Sequence, residues 1–309
     1  MLFLLFYSIP KENFDINFLY DIFQTIDWKS LDESTGVPSL SKVNINNIEV
    51  RIPYDIKEQQ TIGDFFQNLD NLITEQKNKL ENLQKVKKSM LCKMFPKEGQ
   101  KVPEIRFKGF EGDWILITLG NVGLFHSNGV DKKIYPNEHM VNLLNYMDIY
   151  NGRIVNKRNC NSLMQVSAND RQLRDCNVLA NDIFFTPSSE TVEDVGHIMV
   201  IEEDLPNTCY SYHLMRFRPY KGIFYSTFPN YDFQRSFVRH QMRLMANGVQ
   251  RFVLGKTEFE SLQVLIPSYD EQKKIAKYFT SIETQITFQT QRLKKLKQIK
   301  SACLQKMFI

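Results

Sequence analysis

The sequence is short of the side chains that cross-link a fold or hold a metal. It has five cysteines, Cys92, Cys160, Cys176, Cys209 and Cys303, none of them in a CxxC pair. An odd number without such pairs argues against a disulfide framework and a zinc site and fits a reducing cytoplasm. Long apolar runs are lacking too. The opening MLFLLFYSIP has no basic residue before a very short hydrophobic stretch, too short for a secretory leader or a membrane span. Leu2–Tyr7 reads instead as a buried strand, and no membrane partner is expected.

Catalytic signatures are equally scarce. None of the five histidines, His126, His139, His197, His213 and His240, has a second His, Cys or Asp at ligand spacing. HExxH, GxxxxGK(S/T) and GxSxG do not occur. There is no glycine-rich cofactor loop, and FPNYDF at 228–233 departs from the Asn/Asp-Pro-Pro-aromatic tetrad of an adenine methyltransferase. Glu271-Gln272-Lys273 has the Glu-x-Lys spacing of a nuclease site. Its partner in the repeat described below, Glu58-Gln59-Gln60, lacks the lysine. Glu58 and Glu271 read better as first-turn acids that favour a helix N-terminus. The expectation is a chain that is not an enzyme, with no metal and no cofactor.

What is present is a chain of 309 residues, 42% apolar, enough for two domains and a sizeable core. Its formal charge of +4 is a weak hint of a nucleic-acid partner, and where the charge sits says more.

The sequence repeats itself. Residues 58–95 align without gaps on 271–308, with 14 of 38 positions identical, among them Glu58, Gln59, Phe66, Gln76, Leu80 and Phe95. With small gaps STGVPSLSKVNINNIEVRIP (34–53) falls on 246–267, and the Phe14–Phe23 region falls opposite Tyr225–Phe237. A period above 200 residues is a duplicated domain-plus-helix rather than a solenoid. The second copy runs from about 103 to 309, and roughly 110 residues that would open the first are absent.

Each copy ends in a long helix. Apolar steps of three and four run through Ile62, Phe66, Leu69, Ile73, Leu80 and Leu83, and again through Ile275, Phe279, Ile282, Ile286, Leu293 and Leu296. Thirty-eight residues make a helix about 57 Å long. Nothing else in the chain is long enough to cover such a seam, so the two helices are expected to pair as a coiled coil. The expected seam is Ile73, Gln76, Leu80 and Leu83 against Ile286, Gln289, Leu293 and Leu296. Gln76 and Gln289 either fix its register or are merely exposed. Residues 76–101 hold eight lysines against Glu81 and Glu98, and 289–309 hold six basic residues and no acid. These stretches are either a solvated face or a contact surface for a partner subunit or DNA backbone.

The stretch between the helices is rich in β-branched and aromatic runs separated by Gly, Asn, Asp and Ser, as in a separate α/β domain. The runs are Ile115–Leu119, Val178–Thr186, Ile198–Ile201, Tyr212–Phe217, Phe252–Leu254 and Leu262–Ile266. The fold class is therefore α+β, with antiparallel long helices. The expected division is 1–53, a C-terminal remnant of a first domain; 54–101, the first long helix; 102–267, a complete second domain; and 268–309, the second long helix. Polar loops offer candidate contacts to bases or phosphates: Arg153, Lys157, Arg158, Arg171, Arg174, Ser188, Ser189, Gln250 and Arg251. Each alone is more often an ordinary surface residue.

VPEIRFKGFEGDWILITLGNV (102–122) resembles the segment that opens the second target-recognition domain of type I restriction-modification specificity subunits, with a P-x-(I/L)-R-F-x-x-F-x-x-x-W-x-x-x-x-L-G pattern met by Pro103, Arg106, Phe107, Phe110, Trp114, Leu119 and Gly120. The S-x-G turn and final I-P of 34–53 are similar to that family's domain ending, and EQQTIGDFF and EQKKIAKYF to the start of its helices. The resemblance covers essentially the whole chain. It implies two recognition domains, each reading half of a split site in double-stranded DNA. It also implies two antiparallel helices that space them and dock methyltransferase subunits, which restriction subunits join. Here it implies reading of one half-site, with self-association of chains as one way to complete the pair. The alternative is a stand-alone sequence-specific DNA-binding protein without a methyltransferase partner.

Overall fold

The computed structural model describes residues 9–32 and 40–308, so the Leu2–Tyr7 strand and the S-x-G turn at 34–36 lie outside the described residues. Two compact units emerge, residues 1–85 with 284–309, and residues 86–283.

In the first unit, α1 (Ile16–Thr25) and α2 (Lys42–Asn46) precede α3 (Ile56–Lys93), whose residues up to 85 belong here. Asp15 caps α1 by accepting from Phe18 N at 2.9 Å, and Gln59 Oε1 in turn accepts from Asp15 N. The Gln59 amide also donates to Pro53 O at 2.9 Å, so one buried side chain ties two approaching segments to α3. Gly63 is required by this approach: a Cβ there would lie 2.7 Å from Asp15 Oδ1 and 2.9 Å from Phe18 N.

The second unit carries β1 (Ile115–Thr118), β2 (Gly123–His126), β3 (His139–Leu144), α4 (Tyr146–Tyr150), β4 (Met164–Ala168), α5 (Asp170–Asp175), β5 (Ile183–Phe185), β6 (Ser188–Ser189), β7 (Ile198–Val200), β8 (Thr208–Tyr210), β9 (Met215–Pro219), α6 (Pro229–Asp232), α7 (Ser236–Met245), β10 (Phe252–Val253), α8 (Lys256–Ser261), β11 (Gln263–Ile266) and the first part of α9 (Tyr269–Met307). The strands form a four-stranded sheet in the order β2-β9-β5-β7, a three-stranded sheet β4-β3-β8, and the pairs β1-β11 and β10-β6. Two expected strands begin well inside their apolar runs. Val178–Thr186 is strand only over 183–185, and β9 begins at Met215 because 211–214 makes a turn, Leu214 N donating to Ser211 O. The antiparallel register Ile115↔Ile266 joins the domain's first strand to its last. Both chain ends therefore leave at one edge, where α9 begins. One core gathers Phe125, Phe185, Phe217 and Phe259; a second lies around Leu143, Phe184 and Tyr210.

α3 and α9 run antiparallel. In the first unit Gln76 Nε2 donates to Gln289 Oε1 at 2.5 Å, both side chains buried, and Lys300 Nζ lies 2.6 Å from Asp70 Oδ1. Ile73, Leu80, Leu83, Ile286, Leu293 and Leu296 are half-buried. In the second unit Lys87 Nζ lies 2.6 Å from Glu283 Oε1. Asp70 and Lys87 are the repeat equivalents of Glu283 and Lys300, so one ion pair is made twice. The helix ends repeat as well. Phe308 packs on Phe18 and Phe66 with ring centroids 5.3 and 5.8 Å away, and its equivalent Phe95 packs on Phe228 and Phe279 at 5.9 and 6.1 Å. Gln272 repeats the clamp of Gln59, accepting from Tyr225 N and donating to Pro267 O.

The paired glutamines predict a non-additive mutant cycle. Gln76→Leu alone strands a buried amide and is expected to cost about 1–3 kcal/mol. Adding Gln289→Leu should restore most of that in thermal denaturation, because an apolar pair replaces a matched polar one. Additive losses would show that the amides do not depend on each other.

Asp21 gives a pH prediction for the first unit. Burial pushes its carboxyl up to about 6, against the lowering effect of Lys300 and with help from Asp70 and Asp15. A folded-state pKa above the unfolded value contributes stability that is full below about pH 4 and lost as pH rises through about 6. Asp21→Asn should flatten the pH dependence of unfolding between those values and be the more stable form at pH 7. Parallel wild-type and variant curves across that range would refute this.

Candidate nucleic-acid interface

The motif that opens the domain proves to be its mounting. Arg106 Nε and Nη2 each donate to a Glu271 carboxylate oxygen at 2.8 Å, and Nη1 donates to Gly112 O at 2.7 Å. Glu271 is thus a first-turn acid of α9 and also a buried ion-pair partner. The pairing holds the Arg106 guanidinium above its ordinary pKa. Trp114 is buried against Phe95 and Phe228, Phe107 packs edge-on against Tyr278, and Lys274 sits over the Phe110 ring. Gly120 is needed because a Cβ would lie 2.9 Å from Glu260 O. These residues carry the domain and leave its loops free.

The candidate contact residues fall into three groups. Ser188, Ser189, Gln250 and Arg251 come together: β6 pairs with β10, aligning Phe252 with Ser189, and Arg251 Nε and Nη2 donate to Ser188 Oγ at 3.2 and 3.0 Å. Ser189 is buried, whereas Gln250 and Arg251 are exposed. Arg153, Lys157 and Arg158 make a second group beside acids. Arg153 Nη1 donates to Asp148 Oδ1 at 2.8 Å and Nη2 to Ser162 Oγ, while Asp148 also accepts from Asn145 N in the capping box of α4. Lys157 N donates to Glu203 Oε1 at 2.8 Å, with its ammonium 3.9 Å from the same carboxylate, and Arg158 is exposed. Arg171 and Arg174 form the third group, on α5. Both are exposed; Arg171 lies 3.4 Å from Asp175, and Arg174 has no acidic partner among the described residues.

Side chains that no sequence motif marked join the first group. The Tyr146 hydroxyl donates to Ser188 O at 2.8 Å, and its pKa is raised by burial and Tyr150 and lowered by Arg251. His213, exposed, has its pKa lowered by partial burial and by the nearby charges of Lys132 and Arg251. Sequence spacing gave no sign that 132, 146, 213 and 251 share a neighbourhood; only the Lys132-Lys133 pair within NGVDKKIYPN was a local cue. Arg216 and Arg218 are internal instead. Arg216 donates to Asp175 O and Asn177 O over the Tyr210 ring, and Arg218 makes two bonds to Asp182.

All five cysteines are free, and no group of three potential metal ligands occurs among the described residues. No helix among them is long and apolar enough to cross a membrane.

The second unit is thus a strand-rich domain whose opening segment is fastened to the start of α9. The chain belongs to the family of the type I restriction modification DNA specificity domain, whose model matches residues 5–84 and 111–298. It is 20% identical over 292 residues to a putative type I restriction enzyme MjaX specificity subunit of Methanocaldococcus jannaschii, covering 91% of this chain and 62% of that relative. The MjaVIII specificity subunit of the same organism is 31% identical over 97 residues, 30% of this chain and 23% of that one. The fold is similar to the S subunit of a type I restriction-modification system from M. genitalium, with a TM-score of 0.61 and 16% identity over 96% of this chain and 73% of that one. It is also similar to the HsdS subunit from Thermoanaerobacter tengcongensis, with a TM-score of 0.53 and 14% identity over 94% and 69%.

Removing one partner of the mounting pair leaves a charge buried. Arg106→Ala is expected to cost about 3–5 kcal/mol, and Glu271→Gln less, since a neutral amide can still accept. Chemical denaturation of each variant measures this, and a loss under about 1 kcal/mol for Arg106→Ala would mean that the pair does not carry the mounting.

Proposed function

We propose that the chain serves as the DNA-sequence-specificity subunit of a type I restriction-modification complex. In this reading residues 102–267 bind double-stranded DNA, and the two long helices dock methyltransferase subunits, through which restriction subunits join. The chain supplies recognition and no chemistry of its own, needs no cofactor, and works in the cytoplasm, a compartment its free thiols suit. The observation that carries the proposal is the match to a DNA specificity domain over two stretches, 5–84 and 111–298, each running into one of the long helices. The exposed cations on α3 and α9, Lys77, Lys79, Lys294, Lys295 and Lys297 among them, support a charged docking face. In this reading the strand-rich domain at 102–267 reads one half-site.

The test is reconstitution with a type I methyltransferase subunit and footprinting on duplex DNA. One continuous protected stretch per copy of the chain is expected. Two separated protected half-sites from a single copy would refute the half-site reading, and failure to co-purify with the methyltransferase would favour a stand-alone DNA-binding protein. The purified chain with S-adenosylmethionine alone should transfer no methyl group. Replacing both Arg171 and Arg174 by Ala should lower the log–log salt slope by roughly 0.9 for each phosphate that these side chains neutralise. If they read bases, the effect should instead be site-selective, about 1–3 kcal/mol for each base they read.

A further inference from the structure

We infer that the loops at 127–135 and 211–213 form part of the DNA-contacting surface, with Lys132 and Lys133 bound to phosphates and the Tyr212–His213 tip beside them. This rests on the proposed DNA-reading role and assigns it a patch outside the loops singled out from the sequence, except for Arg251 at its edge.

The two loops are locked together. Val130 N donates to Tyr210 O at 2.8 Å and Tyr212 N to Val130 O at 3.3 Å. A Cβ on Gly129 would lie 2.2 Å from Ser211 C and 2.3 Å from Tyr212 N, so only glycine allows the two stretches of chain to come this close. The lysine segment is pinned further along, Ser167 N donating to Lys133 O and Tyr135 N to Ser167 Oγ at 2.8 Å. The tip is a turn, fastened by Leu214 N to Ser211 O and by His213 N to Ser211 Oγ, with Leu214 buried beneath it. Tyr212 and His213 are exposed, their ring centroids 4.0 Å apart. Such a backbone presents its side chains without a large ordering cost on binding.

The charges on this patch are less neutralised than elsewhere on the domain. Two carboxylates are at hand among the described residues: Glu138, which accepts from Ser167 Oγ at 2.7 Å, and Asp131. Asp131 accepts from Lys132 N at 2.7 Å and lies 3.2 Å from the Lys133 ammonium. The Lys132 ammonium has no acidic partner among the described residues, and Arg251 reaches a hydroxyl rather than a carboxylate. Both cations are near enough to His213 to disfavour its protonation, against the opposite pull of Asp131. Arg153, Lys157 and Arg171, by contrast, each have a carboxylate at hand. Clustered cations with exposed aromatic rings on a fixed backbone suit a polyanion with stacked bases. Burial is the larger cause of the lowered His213 pKa, and Lys132 and Arg251 add to it; a phosphate placed here would offset the part due to the two cations, so binding would favour proton uptake.

The test uses the complex reconstituted with a methyltransferase subunit and a short duplex of random sequence. Fluorescence anisotropy is read against salt and pH, after thermal melts confirm that each variant is folded. Lys132→Ala with Lys133→Ala should lower the log–log salt slope by at least about 0.9, the share of one phosphate for Lys132, with a smaller share from Lys133, which Asp131 already pairs. Lys157→Ala should lower it by much less. Because the His213 pKa is lowered in the free protein, affinity should rise as pH falls into and below the ordinary histidine range, and His213→Gln should abolish part of that rise. If the wild-type complex binds no duplex, the DNA-reading role itself falls. If it binds and both variants keep its slope and pH profile, the role stands and the patch is wrong, including the case in which these variants lose an acidic protein partner instead.

Discussion

The fold hangs on a packing contact that the sequence makes twice. A phenylalanine at the end of each long helix, Phe95 and Phe308, fills the space between the start of the other helix and a short preceding segment. A helix of this length is not held by propensity alone; its stability comes from burying one face against a partner. The same pairs of positions supply the ion pairs Lys87–Glu283 and Lys300–Asp70. Only antiparallel helices satisfy both, since a parallel in-register pair would set Lys87 opposite Lys300. Burial of Phe66 and Phe279 supplies most of the energy at these joints, about 2–3 kcal/mol each by area, while the partly exposed ion pairs contribute less and select direction.

The copies differ where their surroundings differ. Gly63 and Ala276 occupy one repeat position, and the glycine stands where α1 comes within van der Waals distance of α3. Asp21 and Tyr231 stand at corresponding places beside the repeated ion pair. Tyr231 satisfies Glu283 with a hydroxyl at 2.8 Å, whereas Asp21 sets a second carboxyl near Asp70 and is pushed toward its neutral form. One architectural joint is thus built with two neighbouring carboxyls in one unit and with a hydroxyl–carboxylate bond in the other.

The helices, their pairing and the strand-rich character of 102–267 were legible in the sequence because each rests on short-range periodicity or on the internal repeat. Gln76 and Gln289 could be placed on the seam by the same periodicity, but their hydrogen bond needs two segments 213 residues apart. Long-range pairing is also why the role of Arg106 was not legible: its partner Glu271 lies 165 residues on, and a first-turn glutamate looks the same in sequence whether or not a guanidinium covers it. The candidate contact residues were chosen by type and loop position. Sequence spacing could not show that Arg153 would be spent on Asp148 and Ser162, or that Ser188 and Arg251 would meet across a two-residue strand pair.

Charge pairing bears on which loops can face a polyanion. A cation already bonded to a carboxylate must give up that bond or share it, so its net gain from a phosphate is small unless the carboxylate is displaced. Arg153 is the extreme case: its carboxylate also caps α4, so moving it would release a helix end as well as an ion pair. Lys132 and Arg251 carry no such cost, and their positions are set by backbone bonds at Val130 and by the Ser188 hydroxyl rather than by an opposing charge. Positive charge held in place by neutral groups keeps its full field for a ligand. By that criterion the surface around Arg251, Lys132 and His213 is better prepared for DNA than the more arginine-rich loop at 153–158.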